Sequence, residues 1–356
     1  MRILLIRLRE IGDVVFTTPA VRALRQKFPE AHISYLVEPG ASPVVEGNPN
    51  IDQLIVAPRR EGAAGLWADL RLGRKLRAQA FDVAIDFHGG PRASLLTWLS
   101  GAPVRVGYEV AGRAWMYTAR VARPRELRAR HSVVNQWDLL APFGIGPPDP
   151  GTTPLEMRAD PETARLVAER LDQAGVAPGD ALVIVHVSAG NPFRRWPLES
   201  FAVVAADLAA SDTNRRIVVT SGPSERDAAA RVIEAARARL PADEQARILR
   251  LGELSLAELR ALSERAALYI GGDSGPMHVA ATTNVSIVAL YGPTLPARSA
   301  PWRPARWTTE TVEITGLSCR PCDQRRCEPG DFRCLTRIEP VQVIAAAERV
   351  LNRIPG

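Results

Sequence analysis

Lysine is almost missing from this 356-residue chain: only Lys27 and Lys75 occur, so nearly all of its 45 basic residues are arginine. Cysteine is scarce as well, with four residues that all fall between Cys319 and Cys334. That excludes a small disulfide-framed scaffold, which spreads cysteines along its length. No apolar run approaches the roughly 18–20 residues that would span a bilayer. The N-terminal MRILLIRLREIGDVV is apolar only from Ile3 to Ile6 before Arg7. It lacks the longer apolar core and small-residue cleavage site of a secretion signal, and it reads as a buried strand of a cytoplasmic protein. The first predicted strand is not followed by G-x-G-x-x-G, which argues against a dinucleotide oxidoreductase. No D-x-D occurs anywhere, so no divalent-cation clamp is predicted.

What is present is ordinary for a globular protein: 46% hydrophobic and 24% charged residues. At roughly 100–200 residues per domain the length predicts two domains. The net charge of +6 is uneven. Residues 1–150 hold 20 basic against 14 acidic residues, and residues 151–356 hold 25 of each. A basic first half points to an anionic partner. No zinc-finger, RNP or helix-turn-helix pattern supports nucleic acid, which leaves a phosphorylated substrate or an anionic membrane surface. Arg113, Arg120, Arg123, Arg125, Arg128 and Arg130 form a dense run opposed only by Glu126. It reads either as a solvated face or as a dock for an anionic leaflet.

Short β-rich runs alternate with amphipathic helical patterns throughout. The first-half strands read Ile3–Leu8, Ile33–Val37, Leu54–Val56, Val83–Phe87 and Val104–Tyr108. The second-half strands read Leu182–Val187, Ile217–Ser221, Ile248–Leu251, Leu268–Gly271 and Ser286–Tyr291. Between the halves, Pro142–Met157 carries five prolines and three glycines and reads as a linker. Alternation of this kind predicts βαβ units and parallel sheets. The predicted architecture is α/β, two Rossmann-like lobes facing a central cleft, over residues 1–150 and 151–338. A last helix within 339–356 is expected to pack back across both lobes.

Ligands of open α/β sheets bind beyond the carboxyl ends of strands, so the loops there carry the chemistry. In RLREIGDVV, Gly12 permits a tight turn and Asp13 is either a helix N-cap or a catalytic carboxylate. In YIGGDSGPMHVAATT, a helix start with Asp273, Ser274 and Gly275 is suited to an anion, with His278 one turn in. In VSAGNPFRRWP, Ser188 and Gly190 are placed for a diphosphate, and Arg194 and Arg195 offer planar cationic donors. In TSGPSERDAA, Glu225 is either a ribose ligand or a residue complementing a helix start. Together the last three loops predict a nucleotide diphosphate on the second lobe. The four cysteines, spaced C-x2-C-x4-C-x6-C, leave two readings open: a tetrahedral thiolate metal site or reduced thiols.

The stretches RLREIGDVVFTTPAVRALRQKFP, DFHGGPRASLLTWLSGAPVRVGY and YIGGDSGPMHVAATTNVSIVALYGPT resemble glycosyltransferase family 9. Its best-known members are ADP-heptose:lipopolysaccharide heptosyltransferases. The resemblance implies a GT-B fold with the acceptor on the N-terminal lobe, the donor on the C-terminal lobe, and inversion at the anomeric carbon. It implies Asp13 as general base and Asp273, Ser274 and Gly275 as the phosphate turn, with Ser where relatives carry Thr. His278 matches the family histidine, Arg194 stands where familiar members have Lys, Glu225 matches the ribose-binding acid, and Leu254 stands where a Met lines the adenine pocket in some relatives. It further implies an ADP-sugar as donor with no required cofactor or metal, a lipid-linked anionic saccharide as acceptor, and work at the inner face of the inner membrane. A two-lobed solute-binding protein, or a nucleotide-sugar sensor without turnover, is the rival from a different class.

Overall fold

The computed structural model describes residues 1–58, 64–123, 130–187 and 189–353. Its contacts divide the chain into two units, Met1–Arg158 and Ala159–Gly356. The division falls after Arg158, so the proline-rich segment stays with the first unit. The reason is local. Leu155 and Met157 are buried, Arg22 Nε and Asn50 Nδ2 each donate at 2.8 Å to the Glu156 carboxylate, and the Glu156 amide donates to Thr18 Oγ1 at 3.0 Å.

The first unit runs β1 (Arg2–Ile6), α1 (Ile11–Val15), α2 (Thr18–Lys27), β2 (His32–Val37), β3 (Gln53–Val56), α3 (Ala64–Ala78), β4 (Val83–Asp86), α4 (Pro91–Leu99), β5 (Val104–Tyr108), β6 (Ala119–Val121) and α5 (Ser132–Trp137). Its sheet has the order β3-β2-β1-β4-β5-β6, all parallel. The central strand β1 is wholly buried from Ile3 to Ile6. A strand covered on both faces by helices has no solvent side, so it reads as a continuous apolar run rather than an alternation.

The second unit runs α6 (Pro161–Gln173), β7 (Ala181–His186), α7 (Leu198–Ser211), β8 (Arg215–Thr220), α8 (Arg226–Arg237), β9 (Ile248–Leu249), α9 (Leu256–Arg265), β10 (Leu268–Gly272), α10 (Gly275–Ala280), β11 (Ser286–Tyr291), α11 (Pro296–Ser299), β12 (Thr309–Glu313), α12 (Arg333–Thr336) and α13 (Pro340–Leu351). Its parallel sheet has the order β12-β11-β10-β7-β8-β9. Both sheets therefore reverse direction once, between β1 and β4 and between β7 and β10. A doubly wound sheet binds ligands at such a switch point. The sequence patterns did not reveal β6 and β12. Both are edge strands, and their ARV and TETVE segments carry no buried apolar run.

Helix α13 closes the second unit. Its apolar face, Val343, Ala346, Ala347 and Val350, is fully buried against α7 and β10 to β12 of its own unit. Burying four small apolar side chains on one sheet face is sufficient to hold a twelve-residue helix there. Among the described residues no helix is long and apolar enough to cross a membrane.

Candidate active site

The first unit places its candidate residues just beyond β1. The helix start is one turn earlier than the capping reading of Asp13 required. Glu10 occupies the N-cap position, with φ of 69°, and Asp13 is the third residue of α1. The left-handed backbone thus falls on exposed Glu10, while Gly12 is helical and accepts the Phe16 amide at 2.9 Å. The Asp13 carboxylate is instead ion-paired with Arg7, the first residue after β1. Arg7 is anchored in turn by donating from Nη1 to the Phe87 carbonyl at 2.7 Å. The Arg7 side chain is 11% exposed and that of Asp13 is 37% exposed. A rigid guanidinium behind a solvent-reaching carboxylate orients it without covering it.

The neighbouring switch strand β4 ends in Asp86, which is completely buried. It accepts bonds from Tyr117 Oη at 2.6 Å and from the His88 and Gly89 amides at 2.9 and 2.8 Å. Burial nevertheless pushes its carboxyl above the usual range. Its role is to fold the Gly89 turn, where φ is +65°. Burial first, then the charges of Arg7 and Arg9, push the His88 imidazole down to about 4.

In the second unit the loops after β7, β8 and β10 converge. Asp273 follows β10 and is 3% exposed. Thr294 Oγ1 donates to its Oδ2 at 2.6 Å, Arg194 Nη1 lies 3.4 Å from Oδ2 and donates to its backbone carbonyl at 3.1 Å, and His278 Nε2 lies 3.4 Å from Oδ1. Burial works to raise the Asp273 carboxyl. The His278 bond and charge, Arg194 and Thr294 outweigh it and hold the group at about 2. A carboxylate so confined is a fixed anion that holds its cationic neighbours, not a base.

Arg194 is held from its other side by Nε donation to Gln324 Oε1 at 2.7 Å, and Asn191 Nδ2 donates to the same oxygen at 2.9 Å. Its Nη2 has no protein partner among the described residues. Ser274 stands at the N-cap position of α10, yet its hydroxyl caps nothing. Oγ is buried and, among the described residues, has no protein partner. Close backbone approach nearby is required, because a Cβ on Gly272 would sit 3.3 Å from the Arg194 carbonyl. An anion at this turn would meet a hydroxyl, a guanidinium edge and the first amides of α10.

Glu225 ends the turn after β8 and is 7% exposed. It too occupies an N-cap position without a cap bond. Arg195 Nη2 donates to its Oε1 at 2.7 Å, and Arg195 Nε donates to the Ala189 carbonyl at 2.9 Å. Arg195, read from sequence as a phosphate donor, pairs with Glu225. Leu254 is half-buried in the loop before α9. Beside it, Ser221, Arg226, Ala229, Gly252 and Glu253 line a cavity of about 150 Å3. Ser188 lies outside the described residues.

Thr294, Gln324 and Arg7 were missed as site residues by sequence reasoning. Thr294 and Arg7 lie inside the stretches that carry the resemblance, but their partners are 21 and 6 residues away. Gln324 sits in the cysteine-rich segment, and no pattern links it to Arg194. All four cysteines are unpaired and border one cavity of about 30 Å3 with Phe193 and Phe332. Among the described residues no group of three or more His, Cys, Asp or Glu is arranged to hold a metal ion. Of the arginine run, Arg113 donates to the Gly89 carbonyl, Arg130 pairs with Asp138 at 2.8 Å, and Arg120 and Arg123 are exposed. Arg125, Glu126 and Arg128 lie outside the described residues.

Comparison with known proteins gives the same outline. The model of the family described as glycosyltransferase family 9 (heptosyltransferase) matches residues 69–330. The chain is 27% identical over 345 residues, 96% of both sequences, to lipopolysaccharide heptosyltransferase 3 of Escherichia coli. A solved glycosyl transferase family 9 protein from Veillonella parvula superposes with a TM-score of 0.83 at 27% identity, covering 99% of this chain and 97% of the other. The Escherichia coli heptosyltransferase WaaC, solved with ADP, shares the fold with a TM-score of 0.71 at 19% identity, over 98% and 100% of the two chains.

Proposed function

We propose one reaction for this chain, which belongs to glycosyltransferase family 9 and has its GT-B fold: transfer of a heptose, with inversion, from ADP-heptose to an inner-core saccharide of lipopolysaccharide. It is a glycosyltransferase by membership of the family; the sugar and the acceptor are our reading. Support comes from relatives whose names specify lipopolysaccharide heptosyltransferase and from a structural neighbour solved with ADP.

The observation that carries the reading is the buried Ser274 hydroxyl without a protein partner, at a helix start beside Arg194 and His278. In this reading the donor pyrophosphate takes that hydroxyl, the first α10 amides and the open edge of Arg194. Glu225, steadied by Arg195, takes the ribose hydroxyls, and Leu254 borders the adenine. Asp13 removes the proton of the attacking acceptor hydroxyl. The new glycosidic C–O bond forms as the bond from the anomeric carbon to ADP breaks. ADP departs with the electron pair, and the proton passes from Asp13 to solvent. General-base assistance of this kind contributes roughly 10²–10⁴-fold. The leaving group is already a stable anion, so it needs fixed dipoles and charge more than a proton. That is why a single carboxylate suffices where glycosidases use two. These steps require no metal. The acceptor is lipid-linked and anionic, and the enzyme acts at the cytoplasmic face of the inner membrane.

Mass spectrometry of products from a panel of ADP- and UDP-sugars, with a delipidated core acceptor, tests the assignment. Transfer of one heptose from the ADP-sugar alone is the expected result. Preference for a UDP-sugar, or donor hydrolysis that ignores acceptor, would overturn it.

A further inference from the structure

The exposed tryptophans gather in one stretch of the first unit. Trp67, Trp98 and Trp115 are 68%, 42% and 56% exposed, whereas Trp137 and Trp196 are buried. Trp98 and Trp115 pack edge to face with ring centroids 5.6 Å apart, presenting a joint apolar surface to solvent. Soluble proteins seldom leave such aromatic pairs uncovered without a use for them.

Beside this pair lies α3. Its inner face is apolar, with Leu72 and Leu76 buried in the core, and its one acid, Asp69, is buried and paired with Arg92. Its outer face carries Trp67, Arg71, Arg74, Lys75 and Arg77, all exposed. None of these four cations forms an ion pair among the described residues. The spacing 67, 71, 74, 75 places a tryptophan and three cations on one stripe of the helix. Helix α3 lies close against the end of α4: a Cβ on Gly73 would come within 2.7 Å of the Leu99 side chain, and Arg77 covers Gly101. Leu99 follows Trp98, so the end of α4 that carries Trp98 lies alongside α3, with Arg77 between the two. From residue 64 to residue 123 only Asp82 and Glu109 are exposed acids.

We propose that α3 and the Trp98–Trp115 pair form a docking surface for an anionic lipid bilayer. The surface has the two components such a partner requires. Indole rings settle at the headgroup level, and arginine and lysine stems reach past apolar surface to meet anionic headgroups. An acidic protein would reward the cations but would leave the outward tryptophans without an apolar counterpart. Arg113 and Arg130 of the arginine run are held within the protein, whereas no cation of α3's outer face is ion-paired among the described residues. The docking surface deepens the reading above, in which the acceptor is lipid-linked, by saying how the enzyme is brought to that acceptor.

Co-sedimentation with vesicles of phosphatidylcholine, alone or mixed with phosphatidylglycerol, tests it. The unaltered protein should bind only the mixed vesicles, more weakly as salt rises. Each basic residue close to such a surface is worth about fivefold in binding. Arg71→Glu, Arg74→Glu and Lys75→Glu together should therefore weaken it by more than about a hundredfold. Trp98→Ser with Trp115→Ser should weaken it about tenfold and leave the salt dependence intact. Unchanged thermal melting shows that each variant is folded. Equal binding to neutral vesicles, no binding to either, or a folded triple variant that binds like the parent would each overturn the proposal. Vesicle binding involves no sugar chemistry, so its failure leaves the transferase reading standing. A failed transfer assay with the delipidated acceptor likewise leaves the docking result intact.

Discussion

The two units share one strand order and one switch point, yet put different carboxylates there. In the first, Asp13 follows the central strand, is over a third exposed, and has one arginine behind it. In the second, Asp273 follows β10, the switch strand that matches β4 rather than β1, is almost fully buried, and is enclosed by Arg194, His278 and Thr294. A shared switch point therefore offers a carboxylate on either of its two strands and says nothing about what each can do. Solvent access and the number of enclosing donors decide that. A carboxylate that reaches solvent can be met by an incoming ligand. One held at about 2 organises the cations around it.

The sharpest way to break this contrast is Asp13→Asn. Transfer should fall by roughly 10²–10⁴ while ADP affinity by titration calorimetry stays nearly constant. Equal loss of both would make Asp13 a structural residue and erase the distinction.

A second test uses what the units have in common: a histidine beside a switch strand that burial pushes down, His88 half-buried and His186 buried. His186 ends β7, shares a 2.9 Å hydrogen bond with Thr220, and is pushed down to about 4 by burial. An unfolded chain binds a proton there at higher pH than the folded one. The stabilising contribution is thus complete above about pH 6.5 and lost as pH falls toward 4. His186→Phe should flatten the stability–pH slope in that window by on the order of 3 kcal/mol, followed by denaturant titration at several pH values.

Asp273→Asn should weaken ADP binding by about 10- to 100-fold, because Arg194 and His278 lose the anion that aligns them, with less effect on turnover at saturating donor. Collapse of turnover with donor affinity intact would reverse the roles given to the two carboxylates. The smallest effect is expected for Ser274→Ala. Losing an N-cap hydroxyl ordinarily costs about 1 kcal/mol of stability. Here the hydroxyl caps nothing, so the melting temperature should hold while ADP affinity falls about fivefold. A drop in stability with no change in ADP binding would return Ser274 to a purely structural role.

Much of this was legible from the chain. The buried strands announce themselves as apolar runs, because parallel strands under helices have no polar face. The motif loops follow those runs directly, so Asp13, Asp273, Ser274, His278 and Glu225 could be placed at strand ends from spacing alone. The edge strands β6 and β12 could not, since half-exposed pairing leaves no apolar pattern. The partners of Arg194 and Arg195 were not legible, because one arginine looks like its neighbour in sequence, and only packing sends Arg194 to Asp273 and Arg195 to Glu225.

Sequence alone settled the class of fold and the order of its loops, because hydrophobic periodicity and glycine-bearing turns are local properties. The tertiary structure decided which carboxylate is accessible, which arginine faces outward, where α13 packs, and that Gln324 reaches back to Arg194 across 130 residues. Those depend on burial and on contacts between distant segments, and no window along the chain contains them.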